Sequence, residues 1–231
     1  MGVVKNMKKT IAIFTSLALV ATGVFVSAPA SAAINCTKVD GKLPVMKVVK
    51  QPQSISKVLP KTATFYTNCG NITVALLGSK APQAVTAFAA LVRGGYYNKT
   101  YCHRMTTADY GFSILQCGDP KANGTGNPEG WNGIVEENLP KLGSNNYPAG
   151  TLAMAKQSEP KTTKAQFFFV YEDSTFAQPV YTVWAKVTKG LDILKYIGSK
   201  KAFERRSDGK DYYVVNGAPV QAVKIEKIVL K

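Results

Sequence analysis

Short apolar runs separated by turn residues follow one another along most of this chain. Runs of this length, bounded by Gly, Pro, Asn and Asp, are typical of β-strands. The runs that we interpret as strands are residues 63–66, 72–76, 114–116, 152–155, 166–171, 181–187 and 223–226. The first two flank Asn68-Cys69-Gly70-Asn71, so they predict a β-hairpin with a Gly/Asn turn.

Two segments have helical rather than strand periodicity. Val85, Phe88, Ala89 and Val92 have the i, i+3, i+4, i+7 spacing of one apolar helical face, and residues 191–197 predict a second, short helix. Many short strands with only two helices predict a mainly β protein, with a closed or nearly closed antiparallel barrel.

The first residues have a different pattern. Lys5, Lys8 and Lys9 precede an apolar run over residues 11–26, and Ala30-Ser31-Ala32 provides a small-residue cleavage site. This predicts a signal peptide over residues 1–32, cut after Ala32, and hence a secreted or extracytoplasmic protein without a membrane anchor after cleavage. An uncleaved anchor is the alternative, but this run is shorter than the ~20 residues that a span needs.

Prolines interrupt the next stretch and divide the rest of the chain into two parts. Pro44, Pro52 and Pro60 break every apolar run in residues 33–61, which predicts an N-terminal extension, with linker character at residues 51–54. Residues 62–231 are predicted to form the folded domain.

The charge is strongly basic. Lys and Arg number 29 against 14 Asp and Glu, a net charge of +15 that falls to +12 without the three lysines of the signal peptide. Because the lysines are scattered rather than clustered, we interpret them as a soluble surface with a general attraction for anions, and predict no dedicated nucleic-acid site.

Several chemistries are excluded by the residues that are missing. The only histidine is His103 and there is no G-x-S-x-G motif, which argues against nucleophilic catalysis by a serine or cysteine. The sequence has no closely spaced Cys or His residues, so it predicts no metal site. The four cysteines are Cys36, Cys69, Cys102 and Cys117. An even number in an exported chain favours two disulfides, and the sequence alone permits three pairings.

Five short blocks occur in a fixed order and together resemble the cyclophilin family of peptidyl-prolyl cis-trans isomerases. They are Cys102-His103-Arg104, Leu115-Gln116-Cys117-Gly118-Asp119-Pro120, Gly124-Thr125-Gly126, Gly150-Thr151-Leu152-Ala153-Met154-Ala155 and Gln166-Phe167-Phe168-Phe169. Each block alone is weak evidence, but the ordered set covers the chain from about Thr62 to the C-terminus.

The resemblance implies a closed eight-stranded antiparallel β-barrel capped by two helices, with no cofactor and with proline-containing polypeptides as substrates. It implies that Arg104 is catalytic and that Gln116 holds a substrate carbonyl. The remaining substrate-binding residues that it implies are Ile114 and Phe168 as wall and floor of a proline pocket, Phe176 and Tyr181 beside it, and Ala155 and Lys156 at its rim.

These residue types suit the reaction. Rotation about an X–Pro amide has a barrier of ~18–20 kcal/mol because it breaks amide resonance, yet no bond is made and no proton moves. A permanently charged guanidinium can donate to the proline nitrogen, which regains a lone pair in the twisted state, and so stabilises that state more than either planar one.

The sequence departs from the family pattern at four places. Residues 106–110 lengthen the hairpin between Arg104 and Gln116, and Ser113 stands where a pocket phenylalanine is usual. Either a bulge turns Phe112 into the groove or the pocket is more open.

Lys156 adds a rim charge, which predicts poor turnover of peptides with Lys or Arg before proline. Phe176 replaces a usual tryptophan and lacks its N–H donor, so we expect only weak inhibition by cyclosporin.

The positions of Cys102 and Cys117 at this hairpin suggest how the cysteines pair. Cys102 and Cys117 flank the strands of Arg104 and Gln116, so we expect them to pair, which leaves Cys36 for Cys69.

We expect a monomer. The rivals to an isomerase are a proline-peptide-binding module with weak catalysis and a basic, polyanion-binding surface protein.

Overall fold

The computed structural model of the protein describes residues 33–231, so the predicted signal peptide lies outside the described residues. Residues 33–231 form twelve β-strands and two α-helices. The strands are β1 (Thr62–Thr67), β2 (Gly70–Leu76), β3 (Thr100–Tyr101), β4 (Arg104–Thr106), β5 (Ile114–Cys117), β6 (Thr151–Met154), β7 (Phe167–Val170), β8 (Val183–Lys189), β9 (Ala202–Arg205), β10 (Asp211–Val214), β11 (Asn216–Pro219) and β12 (Lys224–Leu230). The helices are α1 (Pro82–Arg93) and α2 (Leu191–Ser199), and Ala108–Tyr110 form one 3-10 turn.

The predicted local elements are present. β1 and β2 pair as an antiparallel hairpin whose turn places Gly70 at a positive φ of 119°, a conformation that glycine adopts without steric cost. α1 begins at Pro82, where the missing N–H needs no partner, and buries the face that contains Val85, Phe88 and Leu91. The mainly β prediction with two helices is therefore confirmed.

The sheet differs from the expected closed eight-stranded barrel. Its twelve strands follow the order β10-β9-β11-β4-β5-β7-β6-β8-β2-β1-β12-β3, so in the described residues β10 and β3 are edges and the sheet is not closed. A single isolated bridge, Tyr101 to Asp119, lies between β3 and the residues after β5. β3 has only two residues and reaches the residues after β5 by that one bridge, so the sheet does not close. The strand number is twelve because β3, β4 and the three strands of residues 202–219 add to the seven apolar runs that were interpreted as strands.

Aromatic side chains fill the main core. Phe88 of α1 lies 4.4 Å from Trp184 of β8 between ring centroids, and Phe65 of β1 lies 5.7 Å from Phe167 of β7. All four side chains are fully buried, and their apolar area contributes about 25 cal/mol per Å² to folding. Neither helix in residues 33–231 combines the length and the apolar character that crossing a membrane requires.

The extension of residues 33–61, called the leader below, has no helix or strand, yet it contacts the domain repeatedly. Cys36 is bonded to Cys69, and the N–H of Thr37 donates to the carbonyl of Asn68 at 2.9 Å. Further along, the Asp40 carboxylate lies 2.9 Å from the Lys224 ammonium. The linker character predicted for residues 51–54 is incomplete, since Gln51 is hydrogen-bonded to Asn132.

Candidate active site

Strands β4, β5, β7 and β6 lie side by side and bring three of the predicted site residues into one row. Arg104 of β4 pairs with Gln116 of β5, Gln116 pairs with Phe168 of β7, and Phe168 pairs with Ala153 of β6. Since directly opposed residues point to the same side of a sheet, these four side chains share one face.

Alternation along β5 and β7 separates two sets of side chains. Leu115, Cys117, Phe167 and Phe169 belong to the main core, and we call theirs the core face. Their sequence neighbours Ile114, Gln116, Phe168 and Val170 point the other way, to what we call the site face. Ile114, Phe168 and Val170 belong there to a second apolar cluster that includes Tyr147 and Phe176.

The guanidinium of Arg104 is held by two side chains. Its Nε donates to Oδ1 of Asn216 at 2.8 Å, and its Nη1 donates to Oε1 of Gln116 at 3.2 Å. The Tyr110 ring lies 5.9 Å from the guanidinium carbon. Arginine has five N–H donors, so the group is oriented by the protein while further donors stay available to a ligand.

Asn216 was not found by sequence reasoning. It is the first residue of β11, which pairs with β4 at Asn216 to Thr106. It is 112 residues away from Arg104 in the chain. The only local signal is the Asn216-Gly217 dipeptide, which predicts a turn rather than an arginine partner.

A chain of amides fixes Gln116. Its Nε2 donates to Oε1 of Gln166 at 2.9 Å, and Nε2 of Gln166 donates to the carbonyls of Gly124 and Gly126 at 2.9 and 3.0 Å. The second hydrogen on the amide nitrogen of Gln116 is then free for a substrate carbonyl. The Gly124–Gly126 block therefore supports the site through its backbone.

The aromatic rings predicted for the proline pocket lie together on the site face. Phe176 is stacked between Phe112 and Phe168, with ring centroids 4.3 and 6.0 Å apart, and Tyr181 meets Phe168 edge-on at 5.4 Å. Ile114 and Phe168 are each only 2% exposed. They form the base of the cluster, whereas Phe112, Phe176 and Tyr181 line a cavity of about 420 Å³, which we call the groove cavity.

Phe112 points into the aromatic cluster without a bulge in the pairing of β4 with β5, which is regular from Arg104–Gln116 to Thr106–Ile114. Phe112 lies before β5, where Thr106 Oγ1 donates to its carbonyl at 2.6 Å and accepts from the N–H of Ile114 at 3.2 Å. Ser113 is buried, and its hydroxyl donates to the Glu172 carboxylate at 3.0 Å.

Ala155 and Lys156 occupy different surroundings. Ala155 packs against the aromatic cluster. The Lys156 ammonium lies 4.0 Å from the Glu136 carboxylate, and its side chain is only 8% exposed. Its charge is therefore partnered rather than free at the rim, which weakens the reason to expect discrimination against Lys and Arg before proline.

A second cavity of about 300 Å³ has Gln116, Trp131, Lys156 and Gln166 among its lining residues and shares none of them with the groove cavity. Gln116 thus stands between the arginine and this second cavity.

Both disulfides follow the expected pairing. Cys102 and Cys117 are bonded, and so are Cys36 and Cys69. The first bond lies directly beside the Arg104–Gln116 pair, since Cys117 follows Gln116 and Cys102 precedes Arg104 by two residues. Burial lowers the pKa of His103, between Cys102 and Arg104, and the positive charge of Arg104 lowers it further, while Asp119 opposes both.

Comparison with known proteins gives a family for the folded domain. Residues 62–230 match the family model for cyclophilin type peptidyl-prolyl cis-trans isomerases. The chain is 39% identical to a probable peptidyl-prolyl cis-trans isomerase B of Mycobacterium leprae over 84% of its own length and 66% of the relative's. It is 36% identical to the protein of that name from Mycobacterium tuberculosis over 76% of its own length and 60% of the relative's.

A solved structure gives the same result for the fold. A Cryptosporidium parvum cyclophilin type peptidyl-prolyl cis-trans isomerase, crystallised in the presence of the dipeptide Ala-Pro, is similar with a TM-score of 0.59 and 27% identity. The match covers 74% of this chain and 98% of that one. By contrast, the chain spans only 60 to 66% of the length of the two mycobacterial relatives.

Proposed function

The chain belongs to the family of cyclophilin type peptidyl-prolyl cis-trans isomerases, and from this premise we propose that it accelerates the cis–trans interconversion of X–Pro bonds with Arg104 as the catalytic residue. The observation that carries the proposal is the orientation of the Arg104 guanidinium by Asn216 and Gln116 beside an aromatic groove. The crystallisation of a related structure with Ala-Pro supports a proline-containing peptide as substrate.

The mechanism needs only differential hydrogen bonding. Twisting the X–Pro bond returns a lone pair to the proline nitrogen, and a guanidinium donor stabilises that nitrogen more in the twisted geometry than in the planar one. Because Arg104 is already held from two sides, little reorganisation is needed when the bond twists. No proton changes place.

The remaining groups hold the peptide while one part of it turns. The proline ring binds against Phe112, Phe176 and Tyr181, above Ile114 and Phe168. Gln116 donates through its remaining amide hydrogen to the carbonyl before or after the X–Pro bond. Fixing both parts of the peptide lets the rotation occur about a single bond.

We further propose that the substrates are exported polypeptides. The two disulfides of residues 33–231 support an oxidising compartment. X–Pro isomerisation takes tens to hundreds of seconds without a catalyst, so a catalyst outside the cytoplasm would act as a folding helper.

The test measures isomerase kinetics of the chain from residue 33 and of its Arg104→Ala variant. We expect kcat/KM to fall at least about 100-fold, as for the loss of one donor that acts on a transition state. Arg93→Ala, which removes an exposed arginine at the end of α1, is the matched control and should keep the full rate.

Two outcomes would contradict the proposal. If Arg104→Ala keeps the rate of the unmodified protein, the guanidinium is not the catalyst. If the unmodified protein binds proline peptides, as followed by NMR shifts, but does not accelerate their isomerisation, it is a binding module instead.

A further inference from the structure

The leader contacts a loop that borders the candidate site. Residues 33–61 precede the part of the chain that matches the family model, so their role does not follow from family membership. Residues 121–133, which we call the Trp131 loop, contain neither helix nor strand. Their position therefore depends on contacts with other parts of the chain.

Three hydrogen bonds join the leader to the end of this loop. The Trp131 Nε1–H donates to the carbonyl of Val49 at 2.6 Å. Nε2 of Gln51 donates to the carbonyl of Asn132 at 3.0 Å, and its Oε1 accepts from the N–H of Asn132 at 2.9 Å. The amide of Gln51 thus satisfies both backbone groups of Asn132, as a neighbouring strand would.

Close packing holds the leader itself in place. A Cβ atom added at Gly94, directly after α1, would lie 2.5 Å from the side chain of Val49. The N–H of Ser56 donates to the Thr86 hydroxyl of α1 at 3.1 Å. The leader is therefore fixed on both sides of Gln51 by contacts with or beside α1.

Trp131 separates two cavities. It is 3% exposed, and it lines the cavity beside Gln116 as well as a cavity of about 310 Å³ under the leader, which Gln51 and Pro52 also line. Trp131 thus forms part of the wall of the cavity under the leader and part of the wall of the second cavity.

The far wall of the second cavity depends on the same loop end. A Cβ at Gly133 would lie 1.5 Å from the Lys161 carbonyl, so Gly133 packs directly on the backbone of residues 161–162. Lys161 and Thr162 also line the second cavity. A shift of residues 131–133 would displace both walls.

The opposite end of the loop has its own supports. The Asp119 carboxylate accepts from the N–H groups of Lys121, Asn123 and Gly124, and Gln166 donates to Gly124 and Gly126. These bonds keep Gln116 and Arg104 in position independently of the leader. The leader therefore acts on the second cavity and not on the reacting bond.

We propose that Gln51 and the Val49–Trp131 bond are positioning elements, which set how tightly the protein binds the substrate residues that flank the X–Pro pair. This inference rests on the proposed isomerase function, since it takes the second cavity as a continuation of the same peptide site.

The test compares a short and a long ligand. In the proposed binding mode we expect the dipeptide Ala-Pro to occupy only the groove cavity, and a heptapeptide with proline at its centre to extend past Gln116 in both directions. NMR titration gives the affinity for each, and isomerase kinetics give KM and kcat for the heptapeptide.

In Gln51→Ala and in Trp131→Phe we expect the heptapeptide to bind about 3- to 10-fold more weakly, the range that the loss of one or two net hydrogen bonds gives. KM should rise by the same factor, while kcat and the dipeptide affinity stay within about twofold. Gln53→Ala is the matched control, because Gln53 donates only to Gln51 within the leader, and it should bind both ligands as the unmodified protein does.

Equal losses for both ligands, or a fall in kcat, would mean that the leader is merely structural and would overturn the inference. Unchanged heptapeptide binding would overturn it too. Because affinity is measured apart from turnover, an inactive unmodified protein would contradict the proposed function while the comparison of ligands still decides the role of Gln51.

Discussion

The core face and the site face of β5 and β7 use adjacent residues for different purposes. On the core face, Phe167 packs against Phe65, Phe88, Tyr97, Phe169 and Trp184, with ring centroids 5.6 to 6.3 Å apart. On the site face, Phe168 meets only Tyr147, Phe176 and Tyr181 among the aromatic residues of the described part of the chain. Both rings are buried, at 0% and 2% exposure.

The difference lies in what surrounds each ring. Phe167 is enclosed by side chains from β1, α1 and β8, so every neighbour belongs to the structural core. Phe168 is covered by Phe176, which itself borders the groove cavity. Burial alone therefore does not distinguish a core residue from a site residue. The side chains that surround each residue make the distinction.

Replacing each ring by alanine tests this difference and should give the largest effect. We expect Phe167→Ala to lower the free energy of unfolding by about 3–5 kcal/mol, since the enclosed cavity cannot collapse. We expect Phe168→Ala to lower it by about half as much, because side chains next to the groove can move into the space.

The same two variants should separate in activity. Below its unfolding temperature Phe167→Ala should keep KM for a proline peptide, whereas Phe168→Ala should raise KM because the base of the proline site is lost. Urea unfolding and isomerase kinetics are the two measurements. If both variants lose similar amounts of unfolding free energy and raise KM by similar factors, the two faces do not differ in role.

The alternation that separates the faces could be predicted from the sequence. Short apolar runs bounded by turn residues identified β1, β2, β5, β6, β7, β8 and β12, and the spacing of Val85, Phe88 and Val92 identified α1. Local periodicity carries this information because side-chain direction follows the backbone. The resemblance to a family then directed attention to Arg104 and Gln116.

Hydrogen bonds between distant residues could not be predicted. Asn216 reaches Arg104 across 112 residues, and Gln51 reaches Asn132 across 81. β9 and β10 were missed because residues 204–211 are mostly charged, and Tyr213 of β10 is 73% exposed, so no buried face gives these strands a pattern. The carbonyl of Phe112 accepts from the Thr106 hydroxyl, a bond that no local rule identifies.

The disulfide beside the Arg104–Gln116 pair gives a second, smaller test. Replacing Cys102 and Cys117 together by serine opens a loop with a sequence separation of 15, for which chain entropy gives about 3 kcal/mol. We expect that loss of unfolding free energy, with kcat reduced only a few-fold, because β4 and β5 keep their pairing with each other and with β11 and β7.

The matched control is the double serine variant of Cys36 and Cys69. It should lower stability as well, but should leave kcat unchanged, since this bond lies at the β1–β2 turn. If opening the Cys102–Cys117 bond abolishes turnover in protein that is still folded, pairing of the strands does not suffice to hold the site.

The smallest expected effect is a dependence on pH that separates the structural residue His103 from the catalytic residue Arg104. The pKa of His103 is lowered from its ordinary 6.5, first by burial and then by the charge of Arg104, with Asp119 opposing. The unfolded chain then binds the proton more readily than the folded one. The contribution of His103 to stability is therefore full above about pH 6.5 and is lost as the pH falls below that value through the folded-state pKa.

Turnover should not follow this decline, because the proposed mechanism moves no proton. We expect urea unfolding of the unmodified protein to show lower stability at pH 5 than at pH 7.5, and His103→Gln to reduce that difference, while kcat stays level over the same range. A bell-shaped kcat profile with its acid limb near pH 6 that disappears in His103→Gln would show instead that the histidine takes part in catalysis. The separation between a titrating structural group and a non-titrating catalytic one would then be wrong.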